Sequence, residues 1–276
     1  MTVSPDPPKG HTLFVSDVHL NVAVDGQEQM TRFTSFLRSI DTTQVRHIVL
    51  VGDLFDFWFE YRHVIFSGYF DVLRAFADLR DQGVKVDFVC GNHDFWAGRF
   101  LRDHLGFTIH RDRYAFELDG NRVLVTHGDG LNPADRSYRV YKRIALNPVV
   151  VGLFRLIHPD WAMAIAQGVS RGSRHLSRTD DLSKGPEVAP LRQFAQEVLA
   201  AGAADVVVCG HSHFPVIEHH PGPEQDGLYI NTGDWLFHES FVEWDGTTFR
   251  LREFGSTSPT DEEACKEAKA PIQQGQ

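Results

Sequence analysis

Five times along this chain an apolar run ends in a short cluster of Asp, His and Asn, and that recurrence constrains the fold more than any other feature. Residues 12–16, 46–51, 85–90, 122–126 and 205–209 each carry enough apolar and β-branched side chains to read as short buried strands. The clusters follow at once: Asp17-Val18-His19, Gly52-Asp53 running on to Asp56, Gly91-Asn92-His93-Asp94, His127-Gly128-Asp129, and Gly210-His211-Ser212-His213. Ligand-type residues of an open α/β sheet gather in the crevice beyond the carboxyl ends of its strands. Clusters spread over almost two hundred residues can therefore converge on one point. Asp17 and His19 stand two apart, as do His211 and His213, so each pair faces one centre only if the chain bends out of its strand there.

Between the first three strands, apolar residues recur at helical spacing over 27–40 and 69–80, with Gly83 placed to end the second helix. Strand, helix, strand, helix, strand is the pattern of a parallel α/β sheet. Later, 113–118 and 122–126 flank Asp119-Gly120-Asn121, a hairpin signal. A helix is expected over 191–201, and short strands over 216–219, 228–231, 240–244 and 248–253, forming a mostly antiparallel sheet. The polar stretch 256–276 has no apolar period and reads as a disordered tail. Residues 11–255 thus form the main domain, interrupted at 131–186 by an amphipathic helical segment that reads as an inserted cap.

The bulk numbers exclude several classes. A chain of 276 residues carrying a net charge of −10 is a poor prior for sequence-independent nucleic-acid binding. Three cysteines (Cys90, Cys209, Cys265) make no disulfide framework and suit a reducing compartment. The first ten residues hold no apolar core of a signal peptide. The longest nearly uncharged stretch, 144–154, is too short to span a bilayer.

The chemistry asks for these residue types. Carboxylate and imidazole together suit Mn²⁺, Fe or Zn²⁺, and thiolates are absent from the clusters. One carboxylate can bridge two ions, and two ions about 3.5–4 Å apart can hold a bridging hydroxide and clamp the oxygens of an in-line displacement at phosphorus. Any one cluster is a weak signal; five in order at strand ends are a strong one.

Taken together, Asp17-x-His19, Gly52-Asp53, Gly91-Asn92-His93-Asp94, His127 and Gly210-His211-x-His213 resemble the signature of the calcineurin-like metallophosphoesterases, over roughly residues 12–255. The resemblance implies two packed sheets flanked by helices, with a dinuclear site at one end. It implies that Asp17, His19 and His213 hold one divalent ion, that Asn92, His127 and His211 hold the other, and that Asp53 bridges them. His93 would contact the scissile phosphate or protonate the leaving group, and Asp94 would orient His93.

The words around the motifs narrow the resemblance. Residues 52–58 (GDLFDFW), 127–130 (HGDG) and 231–235 (NTGDW) are similar to the UDP-2,3-diacylglucosamine hydrolase family of lipid A synthesis in Gram-negative bacteria. That implies cleavage of the pyrophosphate of a UDP-linked diacyl sugar lipid to UMP and the lipid 1-phosphate. It also implies Mn²⁺ as the usual ion and a cytoplasmic enzyme peripheral to the inner membrane. One departure stands out: some members of that family carry Arg where this chain has His93.

Between 131 and 185 the chain places nine basic side chains against four acidic ones, interleaved with Ile144, Val149, Val150, Val151, Leu153, Phe154 and Trp161. Basic and apolar residues together suit an anionic lipid or an anionic membrane surface; a helical pair packed on the core with solvated charges is the plainer alternative. Arg136, Lys142, Arg171 and Arg174 are candidates for the pyrophosphate, and Val150 and Phe154 for acyl chains. Phe57, Trp58 and Phe59 either wall the site or fill the core. Asp129 is expected behind His127, and Asp56 behind the Asp53 loop or at a helix N-cap. His158, His175, His219, His220 and His238 have no ligand spacing and read as ordinary surface or core histidines.

Overall fold

The computed structural model describes residues 8–23, 26–165, 168, 182–223, 226–255 and 267–269. The first sheet is built from β1 (His11–Val15), β2 (Val45–Val51), β3 (Lys85–Val89) and β4 (Thr108–His110), all parallel. The crossovers are α1 (Gln27–Ser39), α2 (Phe70–Asp81) and α3 (Arg99–Leu105). The second sheet contains β5 (Arg113–Leu118), β6 (Asn121–Thr126), β7 (Val206–Cys209), β8 (Val216–His220) and β9 (Gly227–Asn231), in the order β5-β6-β7-β9-β8. Its helix α7 (Val188–Ala200) crosses over from β6 to β7.

The two-sheet architecture follows from period-2 burial. Leu13 and Val15 of β1, and Ile48 and Leu50 of β2, face α1 and α2, whereas Phe14, Val49 and Val51 face the other sheet. Across the gap, Val123, Val125, Val206 and Val208 meet them, while Leu124, Val207 and Cys209 turn outward to Leu191, Ala195 and Leu199 of α7. The result is four layers, helix, sheet, sheet, helix, with both sheets buried on two faces.

Three expectations change. The later strands do not form one mostly antiparallel sheet. β6, β7 and β9 are parallel, because α7 supplies a full crossover and β8 lies outside β9. β10 (Ser240–Trp244) and β11 (Thr248–Glu253) return to the first sheet, where β10 pairs antiparallel with β1. Of the tail 256–276, only Glu267–Lys269 lies within the described residues, and it pairs with β11 as a short edge strand, β12, rather than being unstructured.

The segment expected to be an inserted cap carries α4 (Arg136–Ala145), α5 (Pro148–Phe154) and α6 (Pro159–Ile165) among its described residues. Asp135 caps α4 by accepting from the Tyr138 amide, and Asn147 caps α5 with Pro148 at its first position. Among the described residues no single helix is long and apolar enough to cross a membrane; α5 and α6 meet at a bend of 113°.

Candidate metal centre

The five loops at the strand ends do meet, and the backbone is strained where they do. Seven non-glycine residues among those described have positive φ, and five of them are Asp17 (52°), His19 (49°), Asp53 (52°), His211 (67°) and His213 (57°). Each such conformation costs on the order of 1 kcal/mol or more for a residue with a Cβ. This is the bend that the two-residue spacing of Asp17/His19 and His211/His213 requires. Two glycines make room: a Cβ on Gly91 would lie 2.2 Å from Asp53 Oδ1, and one on Gly210 would lie 2.6 Å from Asp17 Oδ2.

Two groups of donors result. In the first, Asp17 Oδ1 lies 3.4 Å from His213 Nε2 and 3.7 Å from His19 Nε2, and those two nitrogens are 3.4 Å apart. In the second, His127 Nε2 lies 3.3 Å from Asp53 Oδ2 and 3.2 Å from Asn92 Oδ1, with His211 in the same cluster. Asp53 Oδ2 is also 3.8 Å from His19 Nε2, so this one carboxylate reaches both groups. Its other oxygen accepts from the His93 amide at 2.9 Å.

These donors fit two cations. Asp17 Oδ1 is buried without a hydrogen-bond partner, and two imidazoles turn their Nε2 atoms toward it. A buried acceptor with no donor is costly, and a cation relieves it. His127 Nδ1 donates to the Val51 carbonyl at 2.8 Å, which fixes the tautomer that leaves Nε2 free as a ligand.

The electrostatics point the same way. Burial acts to raise the Asp17 and Asp53 carboxyls, but His213 and His127 around the first, and His127 and His93 around the second, hold both below the usual range. Burial lowers His211 to about 4, helped by His127. Burial also acts to lower His127, yet Asp53 and Asp17 carry it well above its ordinary value. Two carboxylates held below their usual range in a largely buried, imidazole-lined hollow suit a cation.

His93 stands beside this pair, its Nε2 4.0 Å from Asp53 Oδ2. The expected contact from Asp94 to His93 is absent. The Asp94 carboxylate instead accepts from the amides of Leu54 (2.7 Å) and Gly91 (2.8 Å), tying the second and third loops together. Burial and the neighbouring Asp53 push it up to about 7. His93 is oriented by Asp56, whose backbone carbonyl takes Nδ1–H at 2.8 Å and whose carboxylate lies 3.8 Å away. Asp56 Oδ2 in turn accepts from Asn21 at 3.1 Å, and Asp56 caps no helix.

A family model described as calcineurin-like phosphoesterase matches residues 10–215. This chain belongs to that family. The phosphoesterase is 32% identical over 253 residues to the UDP-2,3-diacylglucosamine hydrolase of Porphyromonas gingivalis, covering 86% of this chain and 95% of the relative. It is 31% identical over 243 residues to the enzyme of the same name from Neisseria meningitidis serogroup B, with the same two shares covered. Among solved structures, a dimetal phosphatase from Danio rerio superposes with a TM-score of 0.45 at 14% identity, over 89% of this chain and 96% of that one. The protein is a dinuclear metal-dependent hydrolase of this family.

Helix α4 of the phosphoesterase packs on the loops that carry His127 and His93. Asp129 does not hydrogen-bond His127. Its Oδ2 accepts from Tyr138 Oη and Lys142 Nζ of α4, both at 2.5 Å. Lys142, expected at the pyrophosphate, is therefore an ion-pair partner of the His127 loop. Trp96, three residues past His93, donates Nε1–H to the Ala145 carbonyl at 3.0 Å. Phe154 stacks on Trp96 (centroids 5.2 Å apart) and packs on Phe59 (4.7 Å). Phe57, Trp58 and Phe59 are buried, and Phe57 and Phe59 also form the wall that receives Phe154. Val150 is half-buried and Arg136 exposed; Arg171, Arg174 and His175 lie outside the described residues. His238, read as an ordinary histidine, pairs with Asp234 at 3.1 Å, which in turn lies 3.6 Å from His213 Nδ1. Only the 231–235 word hinted at Asp234.

Proposed function

We propose that this phosphoesterase hydrolyses the pyrophosphate of UDP-2,3-diacylglucosamine to UMP and 2,3-diacylglucosamine 1-phosphate. The observation that carries the reading is the cap. It is fastened to the His127 and His93 loops, yet it leaves a broad apolar face in solvent: Ile144 is 55% exposed, Val149 70%, Leu153 61%, Leu156 81% and Trp161 70%. A soluble phosphodiester or a nucleotide has no use for such area beside its site. Exposed Arg136, Arg139, Arg143 and Arg155 border it, which suits an anionic lipid and the anionic cytoplasmic surface of the inner membrane. The relatives named for this substrate align along nearly their whole length.

In this reading Asp17, His19 and His213 hold one ion, Asn92, His127 and His211 hold the other, Asp53 holds both, and Mn²⁺ is the ion proposed. When bound, the pair supplies Lewis acidity at the phosphoryl oxygens and an activated water for in-line attack at the uridine-side phosphorus. The chain's own residues do the rest. Asp53, Asp17 and the imidazoles are held in strained, preorganised positions, so little reorganisation is needed at reaction. His93, with Nδ1–H fixed on the Asp56 carbonyl, presents Nε2 to the reacting phosphate. In its protonated form Nε2–H donates to a phosphoryl or leaving-group oxygen. Phe154, packed on Phe57 and Phe59, screens that side of the cleft from water.

The test separates lipid from chemistry. Val150→Asp removes the favourable burial of one aliphatic side chain, about 1.5 kcal/mol or more. KM for the diacyl substrate should rise tenfold or more, with turnover of a soluble chromogenic diester retained. Equal loss on both substrates would remove the acyl-chain role of the cap.

A further inference from the structure

Residues 231–235 supply no ligand, yet Thr232, Asp234 and Trp235 brace the first group of donors and Asn231 the loop that carries His211 and His213. Asn231 Nδ2 donates to the Gly210 carbonyl, just before His211, at 2.7 Å. Thr232 Oγ1 lies 2.6 Å from Ser16 Oγ, which donates to Asp17 Oδ2 at 2.5 Å. The Trp235 amide donates to the Asp17 carbonyl at 3.1 Å. Asp234, fully buried, spends Oδ1 on the amides of Leu236 (2.8 Å), Phe237 (2.7 Å) and His238 (3.4 Å). That leaves Oδ2 facing His213 Nδ1 at 3.6 Å and His238 Nδ1 at 3.1 Å.

The two donor groups are therefore backed differently. Behind His127 Nδ1 stands a neutral carbonyl, that of Val51. Behind His213 Nδ1 stands a buried carboxylate. An anionic acceptor there favours the Nδ1–H tautomer, leaves the Nε2 lone pair aimed at Asp17 Oδ1, and makes the imidazole a more basic ligand. We propose that Asp234 is a positioning residue for the ion held by Asp17, His19 and His213, and that residues 231–235 set the affinity of that site apart from its neighbour's. The inference rests on the ligand assignment above.

The test is a Mn²⁺ titration of the metal-stripped full chain by calorimetry, with electron paramagnetic resonance to distinguish single from coupled ions. The wild type should take up two ions. Asp234→Asn keeps the Oδ1 acceptor for the three amides but turns an NH₂ toward His213. It should weaken one site about 10–100-fold and leave the other within about threefold, the usual size of an effect behind a ligand. The spectrum should then show isolated Mn²⁺ at one equivalent. Asp205→Asn, which breaks a half-exposed pair with Arg122 at the far end of β7, controls for general destabilisation and should leave both affinities alone. Unchanged affinities in Asp234→Asn, or equal loss at both sites, would overturn the proposal. If that variant does not fold, Thr232→Val takes its place, and an unaltered Asp17 site there would overturn it equally. A wild type that binds no ion would instead strike the ligand assignment.

Discussion

Asp129→Asn tests whether the cap is held to the metal loop by a specific fastener. In the structure one buried oxygen accepts from both Tyr138 and Lys142 of α4 at 2.5 Å. A hydrogen bond to a charged group contributes roughly 1.5–3 kcal/mol. Asparagine keeps an acceptor for Tyr138 but loses the charge that holds Lys142, and Lys142, 20% exposed, can turn to water. The expected loss is about 2–3 kcal/mol of docking, or roughly 30- to 150-fold in the opening equilibrium of α4. Trp96 to Ala145 and the Phe154 stack remain, so the docked state still dominates. Hydrogen exchange reads this directly: amides of Arg136–Ala145 should lose protection by that factor while those of β2 keep theirs. Unchanged protection in α4 would refute the fastener. Equal loss in β2 would show that Asp129 stabilises the whole domain instead.

Two further outcomes follow from buried charge. Burial acts to raise the Asp87 carboxyl, but His110 (2.7 Å), His47 (2.8 Å) and Lys85 (2.8 Å) outweigh it and hold it below the usual range. A depressed native pKa gives stability that is present above the unfolded value near 3.9 and lost as pH falls through the native one. Acid unfolding should therefore be less steep in Asp87→Asn, and the variant should already be about 3 kcal/mol less stable at pH 7 by denaturant titration, since a buried partner is removed; an identical acid profile would contradict this. Asp53→Ala or His127→Ala should lose at least one ion by metal analysis and all measurable hydrolysis; near-wild-type turnover in either would contradict the assignment.

Much of this arrangement is written in the local sequence. Buried strands announce themselves as apolar runs, and Asp17, Asp53, Asn92, His127, His211 and His213 all lie within four residues of a strand end, so convergence is readable from order alone. What was not readable depends on partners distant in sequence. Asp94 looks like the neighbour of His93, but its oxygens go back to Leu54 and Gly91. Asp129 sits two residues from His127 and reaches forward to the cap. Asp234 serves His213 from twenty-one residues away. α3 and β4 leave no signal in the sequence, since seven and three residues are too few to show a period. The return of β10 to β1 has no local signature, since the same alternation would suit either sheet.

Release of UMP from UDP-2,3-diacylglucosamine by the purified protein with Mn²⁺, run beside a soluble chromogenic diester, decides the substrate. Fast UMP release and slow diester turnover are expected. Diester turnover with no UMP would keep the two-ion chemistry and contradict the lipid assignment.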